Sequence, residues 1–392
     1  MKELIENSNP ASHVRTFDDL GLYIHIPFCA QRCHFCAFYL VIQDEQNIKR
    51  FVVDLKKEIA LWASREDVAL RTISTVYFGG GTPTALSSSQ LQDILECVSS
   101  HLNLGSQIEV TVESTPESVF AEKLTDLKKA GVTRFSLGVQ SFNPGEREKL
   151  GLRSETHAVH AAIQAAHAAG LDNINLDLIY GIPEQTATSW EDTLTRALEL
   201  RPRHLSCYAL SIEEGTRFFR QWKQGTLRAC DPEKEQMFQR LVEKHVSQSG
   251  FIRYEISNWA QPGYACRHNL RYWQGQDYLG LGPSAQSYVG GVRWGNVPDL
   301  LDYSKQLGEE QLPVQEIERL ATVRQRKERV IFGLRQVEGI PAEWVNALED
   351  EVGWGQALAR LLADDLVSQS GDRYRLTAKG QQFVDTVGQA LW

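Results

Sequence analysis

The sequence predicts an α/β fold: an open, partial (β/α)6 barrel followed by a small α+β module. Three observations carry this prediction. Short apolar, β-branched runs alternate with helical periodicity six times within about 190 residues, which implies a parallel sheet with helices packed outside. Six units are too few to close an eight-stranded barrel, so the sheet is expected to be TIM-like but open. The distinctive loops follow the strand-like runs, at the strand ends where parallel α/β folds place their chemistry.

The elements follow in order. Residues 1–18 are polar and aperiodic, and are expected to form a loose arm. LYIHI (Leu22 to Ile26) reads as the first strand and leads into a cysteine loop. IKRFVVDLKKEIALWA repeats apolar residues at helical spacing, with Ile48, Phe51, Val52, Leu55, Ile59 and Leu61. ISTVYF is the second strand and ends in Gly79-Gly80-Gly81. SSQLQDILECVSSHL is a helix with cap candidates at Ser87 to Ser89. IEVTVES is the third strand, Glu117 to Ala130 a helix, and Gly131 its natural C′ residue. RFSLGVQS, INLDLIYGIP and HLSCYALS are the fourth, fifth and sixth strands. The helices between them are His157 to Ala169 and SWEDTLTRALEL. A core over 19–225, a barrel-flanking segment over 226–315 and a C-terminal module over 316–392 are expected. The module reads as ERLATVRQRKERVIFGLRQ, PAEWVNALEDEV and GQALARLLADD as helices, a hairpin turning at Ser370-Gly371-Asp372, and a last helix, which is winged-helix-like.

Composition excludes several function classes. A net charge of −9 argues against a broad nucleic-acid surface. From residue 310 on, 10 Lys and Arg stand against 13 Asp and Glu, so the module is not expected to bind DNA. No apolar run approaches the roughly 18 residues that span a bilayer. MKELIENSNPASHVRTFDDL has no apolar signal region, so nothing marks export. Seven cysteines in such a chain suggest metal binding or reactivity before disulfides.

Three of them, Cys29, Cys33 and Cys36, have the spacing C-x3-C-x2-C, and Phe38 stands where a further C-x-C step would place a fourth. A [4Fe–4S] cluster is usually held by four thiolates, so three leave one iron open to a substrate or cofactor. A zinc site is the alternative, with His25 or His34 as the fourth ligand.

The other loops offer partners for a small polar ligand. The glycines of GGGTPT admit close backbone approach, and Thr82 and Thr84 add hydroxyls. Glu113 ends the third strand and can accept ribose hydroxyl hydrogen bonds. Gln140 and Arg153 follow the fourth strand, and an Arg there can pair with a ligand carboxylate. Asp177 lies inside an apolar strand, where an unpaired acid is costly. A cluster-bound amino-acid nucleoside would use such a set.

With YIHIPF before the cysteines and GGGTPT, GVQSF and DLIYGIP after them, the chain resembles the radical S-adenosylmethionine (SAM) superfamily, in the branch of oxygen-independent coproporphyrinogen III oxidase. The resemblance implies a radical SAM barrel with Cys29, Cys33 and Cys36 as cluster ligands and SAM on the fourth iron. It further implies Tyr23 and Phe35 flanking SAM, Gly80, Gly81 and Thr82 at its methionyl end, Glu113 at its ribose, and Gln140, Arg153 and Asp177 as remaining polar contacts. One electron from the cluster would cleave SAM to methionine and a 5′-deoxyadenosyl radical. The oxidases continue to a fourth cysteine and carry a longer N-terminal extension, and both departures weigh against coproporphyrinogen oxidase activity.

RYEISNWAQPGYACRHNLRYWQGQDYLGLGPSAQSY contains His268-Asn269-Leu270-Arg271-Tyr272-Trp273, which resembles the H-N-x-x-Y-W signature of the HemW heme-chaperone family. That resemblance implies heme binding and delivery to acceptor hemoproteins, respiratory membrane-associated ones among them. His268 is the candidate axial ligand and Cys266 a competing one; a structural histidine closing the barrel's lateral opening is the alternative for His268. Tyr272 and Trp273 would pack on the porphyrin, and Arg267 or Arg271 would pair with a propionate. Ser284, Gln286 and Glu184 depart from the family pattern at the rim. The alternative function is decarboxylation of coproporphyrinogen III to protoporphyrinogen IX. No catalytic residue is assigned, SAM cleavage stays open, and a cytoplasmic protein, peripheral at the membrane or dimeric, is expected.

Overall fold

The structure, a computed structural model, describes residues 19–392; the expected N-terminal arm lies outside the described residues. Six strands follow one another through the first half: β1 (Asp19–Ile26), β2 (Thr72–Gly80), β3 (Asn103–Ser114), β4 (Arg134–Gln140), β5 (Ile174–Tyr180) and β6 (His204–Ala209). Each pairs in parallel with the next. Their outward residues are apolar and fully buried, for example Leu22 and Ile24 on β1, Val112 on β3, and Leu176 and Leu178 on β5. Helices α1 (Glu45–Ala63), α2 (Ser88–His101), α3 (Ala121–Lys129), α4 (Pro144–Leu150), α5 (Thr156–Ala168) and α6 (Ala187–Glu199) connect them.

Local sequence sets these helix ends. The Asp44 carboxylate accepts from the amides of Gln46 and Asn47 at the start of α1, and Ser87 and Gln90 form a capping box on α2. The buried stripe of α1 is Ile48, Phe51, Val52, Leu55, Ile59 and Trp62. Trp62, not Leu61, completes the stripe; it stacks on Trp294 at 5.4 Å. Each such side chain contributes about 1.5–3 kcal/mol on burial.

The sheet extends beyond six strands because the following segment pairs at both edges. After α7 (Arg217–Lys223) and α8 (Pro232–Gln248), strands β7 (Ile252–Glu255) and β8 (Asn258–Ala260) form an antiparallel hairpin on β6. The chain then crosses as helix α9 (Arg267–Trp273) to β9 (Tyr278–Leu281), which is parallel to β1. Strands β10 (Gln286–Val289), β11 (Val292–Asn296) and, after helix α10 (Leu300–Gly308), β12 (Val314–Arg319) continue that edge antiparallel. Among the described residues the sheet has twelve strands, in the order β12-β11-β10-β9-β1-β2-β3-β4-β5-β6-β8-β7. Glu318 and Arg319, expected to open a helix, instead end the edge strand β12; the helix α11 (Thr322–Gly333) starts only after it.

The C-terminal residues have their own core of Val330, Leu334, Ile340, Val345, Leu361 and Tyr374, among others. Helices α12 (Ala342–Asn346) and α13 (Trp354–Ala363) pack with a three-stranded sheet of β13 (Ile340–Pro341), β14 (Val367–Ser370) and β15 (Arg373–Leu376). The hairpin turns at Gly371, whose φ of 60° suits glycine.

Candidate functional site

The rim at the C-terminal strand ends is assembled by backbone pairing. The β1–β2 register sets His25 beside Gly79 and Ile26 beside Gly80. The pairing then continues past the strand: Gly81 N donates to Ile26 O at 2.8 Å and Thr82 N to Phe28 O at 2.8 Å. GGGT is therefore laced to the segment that enters Cys29. Gly80 has φ +104°, and a Cβ there would lie 2.5 Å from the His25 ring. A Cβ on Gly81 would lie 2.8 Å from two backbone oxygens, those of Ile26 and Phe28.

The cysteine loop is closed and pinned. Phe28–Cys29 pairs with Val41–Ile42 as a short parallel bridge, reinforced by Gln43 N to Cys29 O at 2.9 Å. His34 anchors the middle: its Nδ1 donates to Lys149 O at 2.7 Å, and its Nε2 accepts from Arg217 Nη1 at 2.9 Å. His25 is equally committed, with Nε2 to Tyr39 O at 3.0 Å and Nδ1 to the Tyr23 hydroxyl at 3.2 Å. Neither histidine offers a nitrogen to zinc. Among the described residues, no three His, Cys, Asp or Glu side chains converge as a single-ion site.

All three loop thiols are free and partly buried. Burial raises the pKa of Cys29 and Cys36, and that of Cys33 to about 12, with Cys36 and Cys29 adding to the last. Thiols that resist ionisation alone become thiolates on a bound cation, whose charge inverts the local balance. The only side-chain hydrogen bond to the three is Cys29 Sγ with Thr82 Oγ1 at 3.4 Å among the described residues. Three thiols on one pinned loop, with the nearby imidazoles engaged elsewhere, fit a cluster with one open iron.

Beneath the rim, the inward residues of the strands are polar. The Tyr77 hydroxyl donates to Glu113 Oε1 at 2.6 Å, and Tyr23 lies 6.3 Å from Tyr77, ring to ring. Burial pushes the Glu113 carboxyl up to about 7, against the Tyr77 bond and a backbone bond at Gly80. Asp177 is not unpaired: it accepts from Ser136 Oγ at 3.1 Å and Asn175 Nδ2 at 2.8 Å, and Tyr208 bonds it too. Gln140 has φ +68°, uncommon for a residue with a Cβ, and its buried Oε1 has no partner. An orphan acceptor at a strand end suits an incoming donor such as an amine or hydroxyl. Arg153 is exposed in the loop after α4. That loop is held by Arg147, whose guanidinium donates to Val139 O at 2.7 Å, Ser141 O at 2.8 Å and Ser154 O at 2.7 Å. Phe35 packs with Leu150, Ile179, Ile182 and Phe218 at the rim.

The sequence reading missed Tyr77 and Arg147, and named His25 only as a candidate zinc ligand. A signal existed for the lumen residues: polar side chains recur every second position in otherwise apolar strands, as in Thr75 and Tyr77 or Asn175 and Asp177. The departures at the rim carry backbone strain: Glu184 and Ser284 both have φ +65°. Lys149 Nζ pairs with Glu184 Oε2 at 2.5 Å.

The H-N-x-x-Y-W residues lie elsewhere, on α9, under the lumen. Glu109 caps this helix, accepting from His268 N at 3.0 Å and Arg267 N at 3.2 Å. His268 is 1 % exposed. Its Nδ1 bonds Thr75 Oγ1 at 2.8 Å and its Nε2 bonds the Tyr272 hydroxyl at 2.9 Å. Burial lowers its pKa to about 3, with Arg271 and Arg134 adding to the effect. Both ring nitrogens are therefore engaged, and ligation of iron by His268 would replace one of these two hydrogen bonds. Arg271 is equally unavailable to a propionate, donating to Asp19 Oδ2 at 2.6 Å and Ser74 Oγ at 2.7 Å. Arg267 bonds Gln107 O, and Cys266 is fully buried.

Comparison with known proteins places this arrangement. Residues 23–197 match the model of the Radical SAM superfamily, and residues 324–383 that of the HemN C-terminal domain. The heme chaperone HemW of Mycobacterium tuberculosis is 36% identical over 374 residues, covering 95% of this chain and 94% of that protein. The chain belongs to the HemW family. HemW of Bacillus subtilis is 34% identical over 81% of this chain and 84% of its own length. HemW of Escherichia coli is 35% identical over 69% of this chain and 70% of its own length. Among solved structures, coproporphyrinogen III oxidase (HemN) from Escherichia coli, a radical SAM enzyme, superposes with a TM-score of 0.82 at 25% identity, covering 96% of this chain and 91% of that one. The expected partial barrel is thus the fold of this superfamily.

Proposed function

We propose that this protein is a heme chaperone that carries a SAM-ligated [4Fe–4S] cluster and passes heme to acceptor hemoproteins. The observation that carries the reading is its near full-length likeness to HemW proteins, in both directions of coverage. Local chemistry supports it: Phe38 is 65 % exposed at the rim, where the oxidase branch would carry a further cysteine. Cys29, Cys33 and Cys36 would hold the cluster, which with SAM supplies one-electron chemistry when bound. The backbone at Gly80 and Gly81, with the Thr82 hydroxyl, would receive the methionyl group. Glu113 accepts hydroxyl hydrogen bonds when ionised, and Tyr77 orients it. The orphan oxygen of Gln140 would take a donor, and the exposed Arg153 would pair with a carboxylate. Tyr23 and Phe35 would supply flanking surface.

The second reading, coproporphyrinogen III decarboxylation, is favoured by the superposition on the oxidase. The experiment that separates them is anaerobic reconstitution of the cluster, followed by heme in one arm and coproporphyrinogen III with SAM and a reductant in the other. Tight heme binding without decarboxylation is expected, with Cys33→Ala losing the iron–sulfur absorbance. Turnover to protoporphyrinogen IX would sink the chaperone reading.

A further inference from the structure

Lys123 breaks several local rules at once. It is 6 % exposed, although lysine is almost never buried unless paired. No carboxylate pairs with it among the described residues. It stands in the first turn of α3, where the helix dipole favours an acid over a cation. Burial pushes its ammonium down to about 8. Each of these is unfavourable, and an apolar side chain at the same place would avoid all of them. A residue that violates local preference in this way marks a position held for another reason.

The bonds of Lys123 supply the reason. Its Nζ donates to Thr84 O at 2.5 Å and to Ser118 O at 3.2 Å. It therefore joins the loop after β2 to the loop after β3. The Thr84 and Ser118 hydroxyls bond each other at 2.5 Å as well. Thr84 belongs to the tight turn Pro83–Ala85, closed by Ala85 N to Thr82 O at 2.8 Å and Leu86 N to Pro83 O at 3.1 Å. Thr82 opens that turn, and its Oγ1 lies 3.4 Å from Cys29 Sγ. A continuous set of bonds thus runs from the buried ammonium, through one turn, to a cysteine sulfur.

We propose that Lys123 is a positioning residue for the iron–sulfur cluster: it fixes the Pro83–Ala85 turn so that the Thr82 hydroxyl stays on the Cys29 sulfur. The proposal rests on the cluster reading above and adds a residue that lies outside both the cysteine loop and the glycine run. Hydrogen bonds to the sulfurs help set a cluster's reduction potential. A hydroxyl proton on the sulfur offsets negative charge, so it favours the reduced cluster, which carries one electron more. Losing that bond lowers the potential.

Lys123→Met keeps the length of the side chain and removes its donors. The full-length protein is reconstituted anaerobically as wild type, Lys123→Met, Thr82→Val and the double variant. The midpoint potential of each cluster, without SAM, is read by a redox titration followed by electron paramagnetic resonance. Lys123→Met is expected to lower the potential by about 59 mV, a tenfold change in the reduced-to-oxidised ratio for one electron. Thr82→Val is expected to lower it similarly, and the double variant no further, because both changes remove the same bond. An unchanged potential in Lys123→Met, whatever its melting temperature, overturns the proposal. Shifts that add in the double variant also overturn it, since the lysine then acts independently of Thr82. If Lys123→Met does not fold, Ser118→Ala loosens the same turn and takes its place in the comparison, with the same expectation. If wild type takes up no cluster, the cluster reading itself fails.

Discussion

His268 is held from two sides, by Thr75 Oγ1 at 2.8 Å and the Tyr272 hydroxyl at 2.9 Å, in a layer where its ring also stacks on Tyr77 at 5.1 Å. Removing such a residue leaves both a cavity and unsatisfied hydroxyls. His268→Ala is expected to lower the unfolding free energy of the heme-free protein by about 2–5 kcal/mol. Chemical denaturation of the apo-protein checks this; an unchanged midpoint would show that the imidazole is not a structural element of the floor. The sequence alone could not rank these roles, because a histidine in a helix of seven residues reads alike as ligand or as plug. What separates them is which strands lie above it, and the contact with Thr75 spans 193 positions of chain.

At the scale of elements, strand β2 and the cysteine loop form one unit. The GGGT backbone extends the β1–β2 ladder to the residue before Cys29. A methyl on Gly81 would press on two carbonyl oxygens at 2.8 Å, and backbone cannot yield as a side chain can. Gly81→Ala is expected to destabilise the protein by about 1–3 kcal/mol and to lower the iron retained after reconstitution. Thermal melting and iron analysis check both parts; full iron content with wild-type stability would show that the lacing is dispensable. The strands and helices of the first half were legible because each pairs with a sequential neighbour and carries its own periodicity. The edge strand Val314–Arg319 was not: its sequence VQEIER alternates weakly, and its partner Val292–Asn296 fixes its conformation.

For the whole molecule, Glu58 ties the barrel to its extension. From α1 it accepts from Gly282 N at 2.8 Å, Tyr303 hydroxyl at 2.6 Å and Asn296 Nδ2 at 2.7 Å. Burial raises its carboxyl from 4.5 to about 7, with Tyr303, Gly282 and Asn296 opposing the rise. The folded protein thus holds this proton more tightly than the unfolded chain. The resulting stabilisation is complete below about pH 4.5 and is lost as pH climbs through about 7. At about 1.4 kcal/mol per pKa unit the change is on the order of 3 kcal/mol. Denaturation midpoints at pH 5.5 and pH 8 should therefore fall more steeply in wild type than in Glu58→Gln; equal slopes would contradict the assignment. Among the described residues no helix is long and apolar enough to cross a membrane.

The sequence by itself determined the six-unit alternation, the three-cysteine loop and the polar strand ends, because each is a local pattern of spacing and period. It also left zinc open, since His25 and His34 lie close to the cysteines in the chain. Tertiary structure decided against both histidines by engaging their nitrogens with Tyr39, Tyr23, Lys149 and Arg217. It placed the His268 motif in the floor, against Thr75 from the other side of the chain. No periodicity records such contacts, because they arise only when the chain crosses from one edge of the sheet to the other.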